Sequence, residues 1–376
     1  MNRTLLLPAL LAAWVLPVQA HMPEGLEWSG SGFLTAVAGR VLGGTNDPTT
    51  DGGYRCPCFI SDYAQGGIYE RGRVRVGPDS RLGFQGSVST SDRRFGLTGQ
   101  VVMRGTANGA PNLEWAYGTA ELDSRFTLQV GRKRLPLFAY SEVQDVGFAV
   151  PWTHLPPQLY GWEIVNYNGA SLTYRDTWGR WAPTLSVFGG AESARNSGYW
   201  KIYNGKDSRT DARWSQILGT EWKFNRGPFD ARYVYMQSYT QNRLAGDGPS
   251  EFSPRARQRI HGASFSHDDG HLIARAEFLA IDRTEDYGRD SAQLFALGYR
   301  VGRFTPMLSY ANYRQKHHDP SVSEAHDTRT AVLRYDLTNA SALKIQFDAW
   351  RDRSAEGFAS MRGHARLLSV GFDMVF

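Results

Sequence analysis

The chain has few cysteines and no long apolar run after Ala20. Its 376 residues include only 2 cysteines, both in Cys56-Pro57-Cys58. Two sulfurs are too few for a disulfide-rich scaffold and make a weak metal site on their own. A membrane helix needs roughly 20 consecutive apolar residues, so the sequence excludes a helical membrane protein.

Neither positive nor negative charge is concentrated in one part of the chain. The formal net charge is +5, from 42 Lys and Arg against 37 Asp and Glu. The positive charges are spread along the chain, so we expect no nucleic-acid partner. The Gly-x-Ser-x-Gly motif of hydrolases is absent, and no His pattern fixes a catalytic or metal site. We therefore expect no enzyme, no cofactor and no metal.

Aromatic residues and glycine are abundant instead. The chain has 40 Gly, 18 Tyr, 19 Phe and 11 Trp, yet its mean hydropathy is −0.43. This combination is typical of a wall with one apolar and one polar face, belted by aromatic side chains at two membrane interfaces. Trp162, Trp214 and Trp350 lie on predicted strands and fit such a belt. Alternatively, they could line the lumen of a sugar channel.

The N-terminus reads as an export signal. Arg3 precedes an apolar run from Leu5 to Leu16, and Val18-Gln19-Ala20 supplies small residues for cleavage. Residues 1–20 are therefore predicted to be a signal peptide. The mature chain, 21–376, would meet an oxidising compartment, where a disulfide between Cys56 and Cys58 is possible as a staple of the first long loop.

Side chains alternate between apolar and polar in many short segments. The last segment ends on Phe376, and its apolar face carries Leu368, Val370, Phe372, Met374 and Phe376. The same period of two recurs at 126–133, 272–280, 330–337 and 343–349. Charged residues between apolar ones are costly in a soluble core but are expected where one face meets lipid and the other water.

The connections between these segments alternate between short and long. Short turns are predicted at 90–94, 123–125, 176–180, 226–228, 268–270, 301–303 and 338–341. Long loops are predicted at 44–80, 106–111, 135–160, 193–210, 244–257, 282–289, 316–326 and 354–361. Fifteen connections join sixteen strands, with short turns in the periplasm and long loops outside.

The predicted fold is therefore all-β, a transmembrane antiparallel β-barrel of about 16 strands. The first strand is predicted to begin at 32 and the sixth at 161. An extra hairpin in 67–76 would raise the strand number to 18.

The third long loop, 135–160, is unusually apolar. It opens with Leu135-Pro136-Leu137-Phe138 and closes with Leu159-Tyr160. A long apolar loop must bury itself, and the barrel interior is the natural place. We therefore predict that 135–160 folds inward.

Taken together, this layout resembles the general porins of proteobacteria. The resemblance covers nearly the whole mature chain and is specific at Gly131-Arg132-x-x-x-Pro136-Leu137 and at the terminal Phe376. The segments beginning at Cys56 and at Gly161 resemble a less characterised porin-like branch. The resemblance implies a passive diffusion channel for small hydrophilic solutes and ions in the bacterial outer membrane. It also implies a homotrimer in outer-membrane lipid, assembled by the barrel assembly machinery, with Phe376 as the assembly signal.

The resemblance also implies a pore constriction. Loop-three carboxylates would be Glu142 and Asp145. Basic residues on the polar face of the wall would oppose them: Arg104, Lys133, Arg232 and Arg275, with Arg334 and Lys344 as further candidates. Opposed charges across a narrow aqueous gap sort ions, and the basic excess predicts a weak preference for anions. The alternative for each charge is a solvated lumen residue without a special role.

Other functions remain open. A substrate-selective channel for carboxylates, sugars or other anions would share the same fold. A barrel enzyme of the phospholipase or protease type, or an adhesin, is less favoured because no catalytic motif was found. A lumen plugged by side chains would argue against a channel.

Overall fold

The computed structural model describes residues 25–48, 52–245, 250–284, 288–355 and 361–376. The predicted signal peptide, 1–20, lies outside the described residues. Sixteen strands form the barrel wall. They are β1 Leu26–Gly44, β2 Arg81–Thr90, β3 Phe95–Arg104, β4 Pro111–Glu121, β5 Phe126–Arg134, β6 Asn166–Arg175, β7 Ala182–Ala194, β8 Thr210–Arg226, β9 Phe229–Leu244, β10 Ala256–Asp268, β11 Leu272–Arg283, β12 Arg289–Tyr299, β13 Phe304–Lys316, β14 Ala325–Thr338, β15 Ser341–Asp352 and β16 Met361–Val375.

Each strand runs antiparallel to its neighbours, and β1 closes the ring. Its first half pairs with β2, from Leu26 opposite Thr90 onward. Its second half pairs with β16, from Phe33 opposite Val375 onward. The prediction of a closed, sixteen-stranded antiparallel barrel is confirmed.

Alternation along each strand decides which side chains face out. On β15, Leu343 and Ile345 are 39% and 51% exposed on the outer wall, whereas Lys344 between them is 0% exposed inside. Apolar side chains thus point outward and charged ones inward, the reverse of a soluble protein and the arrangement that lipid demands. Within the described ranges, no helix is long and apolar enough to cross a membrane.

The short turns are built from residues that favour turns. At 123–125, Asp123 Oδ1 accepts hydrogen bonds from the backbone N–H of Arg125 at 2.7 Å and of Phe126 at 2.9 Å. Gly227 has a φ of 56°, which suits glycine and disfavours most other residues. Turns and long loops alternate as predicted. One end of the barrel is therefore a short-turn end and the other a long-loop end.

The structure corrects the predicted elements at three places. Strand β1 begins at Leu26, six residues earlier than predicted. Strand β6 begins at Asn166 rather than 161, because the apolar loop continues to that point. The possible extra hairpin in 67–76 does not form there: Gly67–Tyr69 instead pairs with Phe59–Asp62 in a separate two-stranded sheet that does not join the wall. The wall therefore has 16 strands and not 18.

Loop three, here 135–165, lies inside the barrel against an apolar part of the inner wall. Its buried apolar side chains are Leu135, Leu137, Phe138, Tyr140, Val150, Trp152, Leu155, Leu159, Tyr160, Trp162 and Ile164. They join inward-facing residues of strands β8 to β14, among them Val234, Met236, Leu279, Leu294 and Val332. Burial of these side chains fixes the loop inside, since each large apolar side chain contributes roughly 1.5–3 kcal/mol.

Loop one is the segment between β1 and β2, and its described residues 52–80 also fold into the long-loop half of the lumen, which the sequence did not predict. Its Phe59 ring lies 5.4 Å from His154 of loop three. Tyr69 packs against Gly39 of β1, where a Cβ atom would overlap the ring. Two short helices lie on this side of the barrel, α1 Pro157–Tyr160 at the end of loop three and α2 Gly198–Asn204. Helix α2 contacts loop one through a hydrogen bond from Tyr54 Oη to the Lys201 carbonyl at 3.1 Å.

The three tryptophans that could have belonged to an aromatic belt face inward. Trp162, Trp214 and Trp350 are at most 4% exposed. Trp214 donates from Nε1 to Glu163 Oε1 at 2.6 Å. The belt assignment is wrong for these three because Trp214 and Trp350 have the parity of the inner face of their strands, and Trp162 belongs to loop three inside the barrel. Trp181 and Trp222, at 41% and 42% exposed, stay on the outside.

Phe376 closes the last strand against β1. Its backbone N–H donates to the Gly32 carbonyl at 2.9 Å, and its ring lies 6.0 Å from Phe84 on the outer wall. We expect Phe376→Asp to lower the yield of folded barrel strongly, because a charge on the lipid face is costly. The yield is read from heat-modifiable migration on gels. Arg94→Asp, a change at an exposed turn residue, is the control. Equal yields for both variants would show that Phe376 is not needed for assembly.

Candidate functional site

A layer of buried ion pairs fixes loop three to strands β3, β4 and β5. Asp145 accepts hydrogen bonds from Arg104 Nε at 3.2 Å and Nη2 at 2.7 Å, and it also pairs with Arg134. Arg104 Nη1 donates to Glu114 Oε1 at 2.6 Å. We call Arg104, Glu114, Arg134 and Asp145 the ion-pair layer. All four side chains are nearly inaccessible to solvent.

The charge of Asp145 is stabilised by its neighbours. Burial disfavours the charged carboxylate, but the guanidinium groups of Arg104 and Arg134 outweigh that cost and hold the pKa of Asp145 well below its usual range. Asp145 is therefore charged at any pH that the outer membrane meets.

Basic residues of the opposite wall bind loop-three carbonyls. Arg232 donates from Nη1 to the Leu137 carbonyl at 3.2 Å. Arg334 donates to the Phe148 carbonyl at 2.7 Å. Lys344 Nζ donates to the Gly147 carbonyl at 2.6 Å, and it pairs with Asp373 at 2.7 Å.

This contact needs glycine at 147. A Cβ atom at Gly147 would overlap Oδ1 of Asp373 and the hydroxyl of Thr35. The backbone can approach the wall closely only where no side chain intervenes. Gly147 therefore lets Lys344 and Asp373 hold the middle of loop three.

Two further wall residues hold the first turn of the loop. Glu277 accepts from the Ala139 N–H and from the Tyr160 hydroxyl, both at 2.7 Å. The Arg275 guanidinium lies 4.6 Å from the Tyr140 ring centre, a cation–π contact. The sequence does not predict the contacts of either wall residue.

His154 of loop three lies between two carboxylates. Its Nδ1 is 3.1 Å from Asp79 Oδ2 of loop one, and its Nε2 is 3.3 Å from Asp348 Oδ2 of β15. Burial opposes protonation, but the two carboxylates outweigh it and raise the pKa of His154 to about 10. His154 is thus a charged bridge between loop one, loop three and the wall.

This bridge predicts a pH dependence. Because the folded pKa lies above the unfolded value of about 6.5, the stabilisation is complete below about pH 6.5 and is lost as the pH rises through about 10. We expect His154→Gln to lower the free energy of unfolding at pH 6.5 by a few kcal/mol and to have a much smaller effect near pH 10. Urea unfolding of both proteins at several pH values measures this difference. His318→Gln, a change in an exposed loop, is the control, and a pH-independent deficit for His154→Gln would contradict the bridge.

Lys133 lies apart from these anchors, on a cavity of about 280 Å³ beside loop three, which we call the basic cavity. Lys133 Nζ donates to Ser171 Oγ at 2.8 Å and is 5.7 Å from the Tyr117 ring centre. The charged lining consists of Lys133, Arg134, Arg175 and Lys223 with Glu142 and Glu221. Aromatic and hydroxyl side chains complete it: Trp115, Tyr117, Tyr167, Phe188, Ser171, Thr173, Thr184 and Ser186.

The structure thus divides the predicted constriction residues into two groups. Arg104, Arg232 and Arg275 contact loop three directly, and Arg104 does so through Asp145. Glu142 and Lys133 both line the basic cavity instead. A role in selectivity stays a prediction for all six residues.

Several residues of this site were missed. Glu114 and Arg134 flank Asp145, and Arg175 and Lys223 line the basic cavity. Their strand parity could have placed them inside, but nothing local in the sequence distinguishes them from other inward charges.

The two cysteines are joined in a disulfide with a Cα–Cα distance of 4.3 Å. Cys58 is fully buried in loop one, and its backbone exchanges two hydrogen bonds with the Asn46 side chain. Among the residues that the structure describes, no group of three or more His, Cys, Asp or Glu side chains is arranged to hold a metal ion.

A closed sixteen-stranded barrel with an apolar outer wall and a loop three inside it is the fold of porin-like outer-membrane proteins. Solved structures of this class resemble the chain. The outer-membrane-expressed OmpT of Vibrio cholerae matches with a TM-score of 0.59 and 8% identity over 94% of this chain and 99% of that one.

Two further structures have the same fold. The anion-selective porin from Comamonas acidovorans has a TM-score of 0.55 and 14% identity, over 93% of this chain and 100% of that one. The outer-membrane channel DcaP of Acinetobacter baumannii has a TM-score of 0.55 and 11% identity, over 94% and 98%. No protein-family model matches the chain, and no curated protein matches it. The prediction of a porin-like barrel fold is confirmed.

Proposed function

We propose that the chain is a porin, a passive diffusion channel for small hydrophilic solutes with a weak preference for anions. The observation that carries this proposal is the two-sided lumen. Loop three packs on the apolar wall of β8 to β14, and polar side chains of the opposite wall, β2 to β8, remain partly exposed around the basic cavity. A polar, partly exposed lining favours passage of hydrated solutes.

The charge of the basic cavity supports the anion preference. Its lining has the cations Lys133, Arg175 and Lys223 besides Arg134, whose charge is matched by Glu114 and Asp145. Against them stand Glu142 and Glu221. The small positive excess would attract anions weakly, and salt would screen it. The solved anion-selective porin of the same fold agrees with this direction.

Single-channel recording in a planar bilayer with a salt gradient tests the proposal. We expect Lys133→Gln with Lys223→Gln to shift the reversal potential toward cations, most strongly at low salt, because screening weakens charges at high salt. The single-channel conductance should change little, since both replacements remove a charge with only a small change in side-chain size.

Lys206→Gln with Lys316→Gln is the matched control, because it removes the same charge at exposed positions in or beside long loops. An equal shift in both double variants would mean that net charge, and not the basic cavity, sets selectivity. A barrel that inserts without any conductance would overturn the channel itself.

A second candidate is a substrate-selective channel. The observation that favours it is the filled long-loop half of the lumen, where loop one, loop three and α2 pack together. Cations beside aromatic rings suit a carboxylated solute. A selective channel would give a small conductance that its solute blocks, whereas a general porin would give a larger and unblocked one.

We also propose an orientation in the membrane, a route of assembly and an oligomeric state. The short-turn end would face the periplasm, and the barrel assembly machinery would insert the chain through its last strand. A trimer form of Vibrio cholerae OmpT has been solved, and we propose a homotrimer here as well. We also propose that the chain has no catalytic activity, since solved structures of the same fold include a porin and an outer-membrane channel.

A further inference from the structure

Four exposed arginines lie on the outer wall, on adjacent strands. They are Arg40 on β1, Arg329 on β14, Arg351 on β15 and Arg366 on β16. We call them the arginine cluster. Arg40 stands opposite Leu368, which is itself exposed on the outer wall. Their side chains therefore point away from the lumen, so a role in the pore does not explain them.

The cluster lies at one level of the barrel. Arg329 is nine residues from Thr338 at the short-turn end of β14, and Arg351 is ten residues from Ser341 of β15. At about 3.3 Å per residue and a tilt of about 40°, nine residues rise roughly 23 Å, close to the ~25 Å height of an apolar band. With the short turns in the periplasm, the arginines stand at the outer membrane–water boundary.

Their guanidinium groups are unused within the part of the chain that the structure describes. Among the described residues, no side-chain hydrogen bond or ion pair engages Arg329, Arg351 or Arg366, in contrast to the lumen arginines such as Arg104. The nearby carboxylate of Asp327 pairs with Arg353 instead.

Between two of these arginines the wall carries a small side chain. Ala349 is the register partner of Arg329 on one side and of Arg366 on the other. Neighbouring strands lie about 4.8 Å apart, so the two arginines flank a notch with only a methyl group at its floor. Arg351 follows two residues along β15 and points to the same face. Three cations thus surround one small open position.

An apolar trough of about 1020 Å³ leads away from this notch along the outer wall. It follows one row of register partners across the strands, through Leu297, Leu308, Ala331 and Phe347. Arg329 and Ala349 belong to its lining. A cationic notch that opens into a concave apolar surface fits an anionic head group joined to acyl chains.

We propose that Arg329, Arg351 and Arg366 bind the phosphate group of an outer-leaflet phosphorylated glycolipid over Ala349, with an acyl chain in the trough. Arg40 extends the same positive surface onto β1. A second copy of the chain is the rival occupant. The lipid is favoured because an anionic head group with acyl chains complements both the arginines and the apolar trough, and the test below distinguishes the two occupants.

Lipid binding to the purified, refolded barrel in a non-ionic detergent tests the proposal by native mass spectrometry. The probes are a bisphosphorylated lipid A, the same glycolipid without phosphates, phosphatidylglycerol and inorganic phosphate. We expect lipid A to bind at least as tightly as phosphatidylglycerol, and the dephosphorylated form and free phosphate to bind far more weakly. Each lost arginine should weaken binding about fivefold, so R329Q/R351Q/R366Q should lose roughly 100-fold.

Two variants make the result specific. R94Q/R180Q/R303Q removes the same charge from exposed positions at the short-turn end and should bind lipid A like the parent protein. Ala349→Trp keeps all arginines but fills the notch, and should weaken binding as well. Heat-modifiable migration shows whether each variant has folded.

Three results would overturn the proposal. Equal affinity for lipid A and for the dephosphorylated glycolipid would show that the phosphate groups are not recognised. An equal loss in R94Q/R180Q/R303Q would reduce the effect to net charge. A change of oligomeric state in R329Q/R351Q/R366Q without a change in lipid affinity would assign this face to a contact between copies.

Discussion

Deletion of residues 140–150 should raise the single-channel conductance severalfold. The segment contains Tyr140, Asp145 and Gly147, which connect loop three to both sides of the wall. Without it the lumen loses its largest obstruction, and Arg104 and Arg134 lose their loop carboxylate. The deletion should therefore widen the pore and strengthen its anion preference. Planar-bilayer recording in a salt gradient measures both effects at once.

Deletion of 317–323, an exposed segment between β13 and β14, is the matched control and should leave conductance unchanged. Combining the loop-three deletion with Arg104→Gln removes one unpaired charge, which should restore part of the stability and reduce the anion preference. Unchanged conductance after deletion of 140–150 would place the narrowest point elsewhere, with loop one and α2 as the remaining candidates.

Asp145→Asn should destabilise the barrel by roughly 3–5 kcal/mol. The replacement leaves Arg104 and Arg134 buried beside a neutral partner, and an uncompensated buried charge is costly. Urea unfolding of the refolded protein in lipid vesicles measures the change in free energy of unfolding. The same variant should flicker between conductance levels, because its loop three is held less firmly.

Glu142→Gln is the control, three residues away in the same loop and exposed. Its effect on stability should stay within about 0.5 kcal/mol, as for most surface changes. A double variant with Arg104→Gln completes a thermodynamic cycle. If the two residues interact directly, Arg104→Gln should lower the free energy of unfolding less in the Asp145→Asn background than in the parent protein. Additive effects of the two changes would argue against a direct interaction.

The wall could be predicted from sequence because its rules are local. Alternation along 343–349 separates Ile345 outside from Lys344 inside, and turn residues such as Asp123 and Gly227 mark the short-turn end. Both signals depend on neighbours in the chain. The predicted bounds of most turns and long loops therefore agree with the structure to within one or two residues.

The contacts inside the lumen could not be predicted in the same way. Arg104 and Asp145 are 41 residues apart, and only closure of the ring brings them together. Val234 and Leu279 are apolar residues that face inward and pack against loop three. Alternation along the strands does not predict this contact. Loop one was missed because its buried aromatic residues, such as Phe59 and Tyr69, are scattered among polar ones.

The attachment of loop three has a consequence for the order of folding. Its bonds reach Arg104 on β3, Arg232 on β9 and Lys344 on β15, and these strands are far apart in sequence. No two neighbouring hairpins can supply that set of partners. The loop can settle only after nearly the whole ring exists, and such long-range contacts form slowly. We therefore expect the wall to close before the interior fills, so that the lumen is the last part of the protein to take its final form.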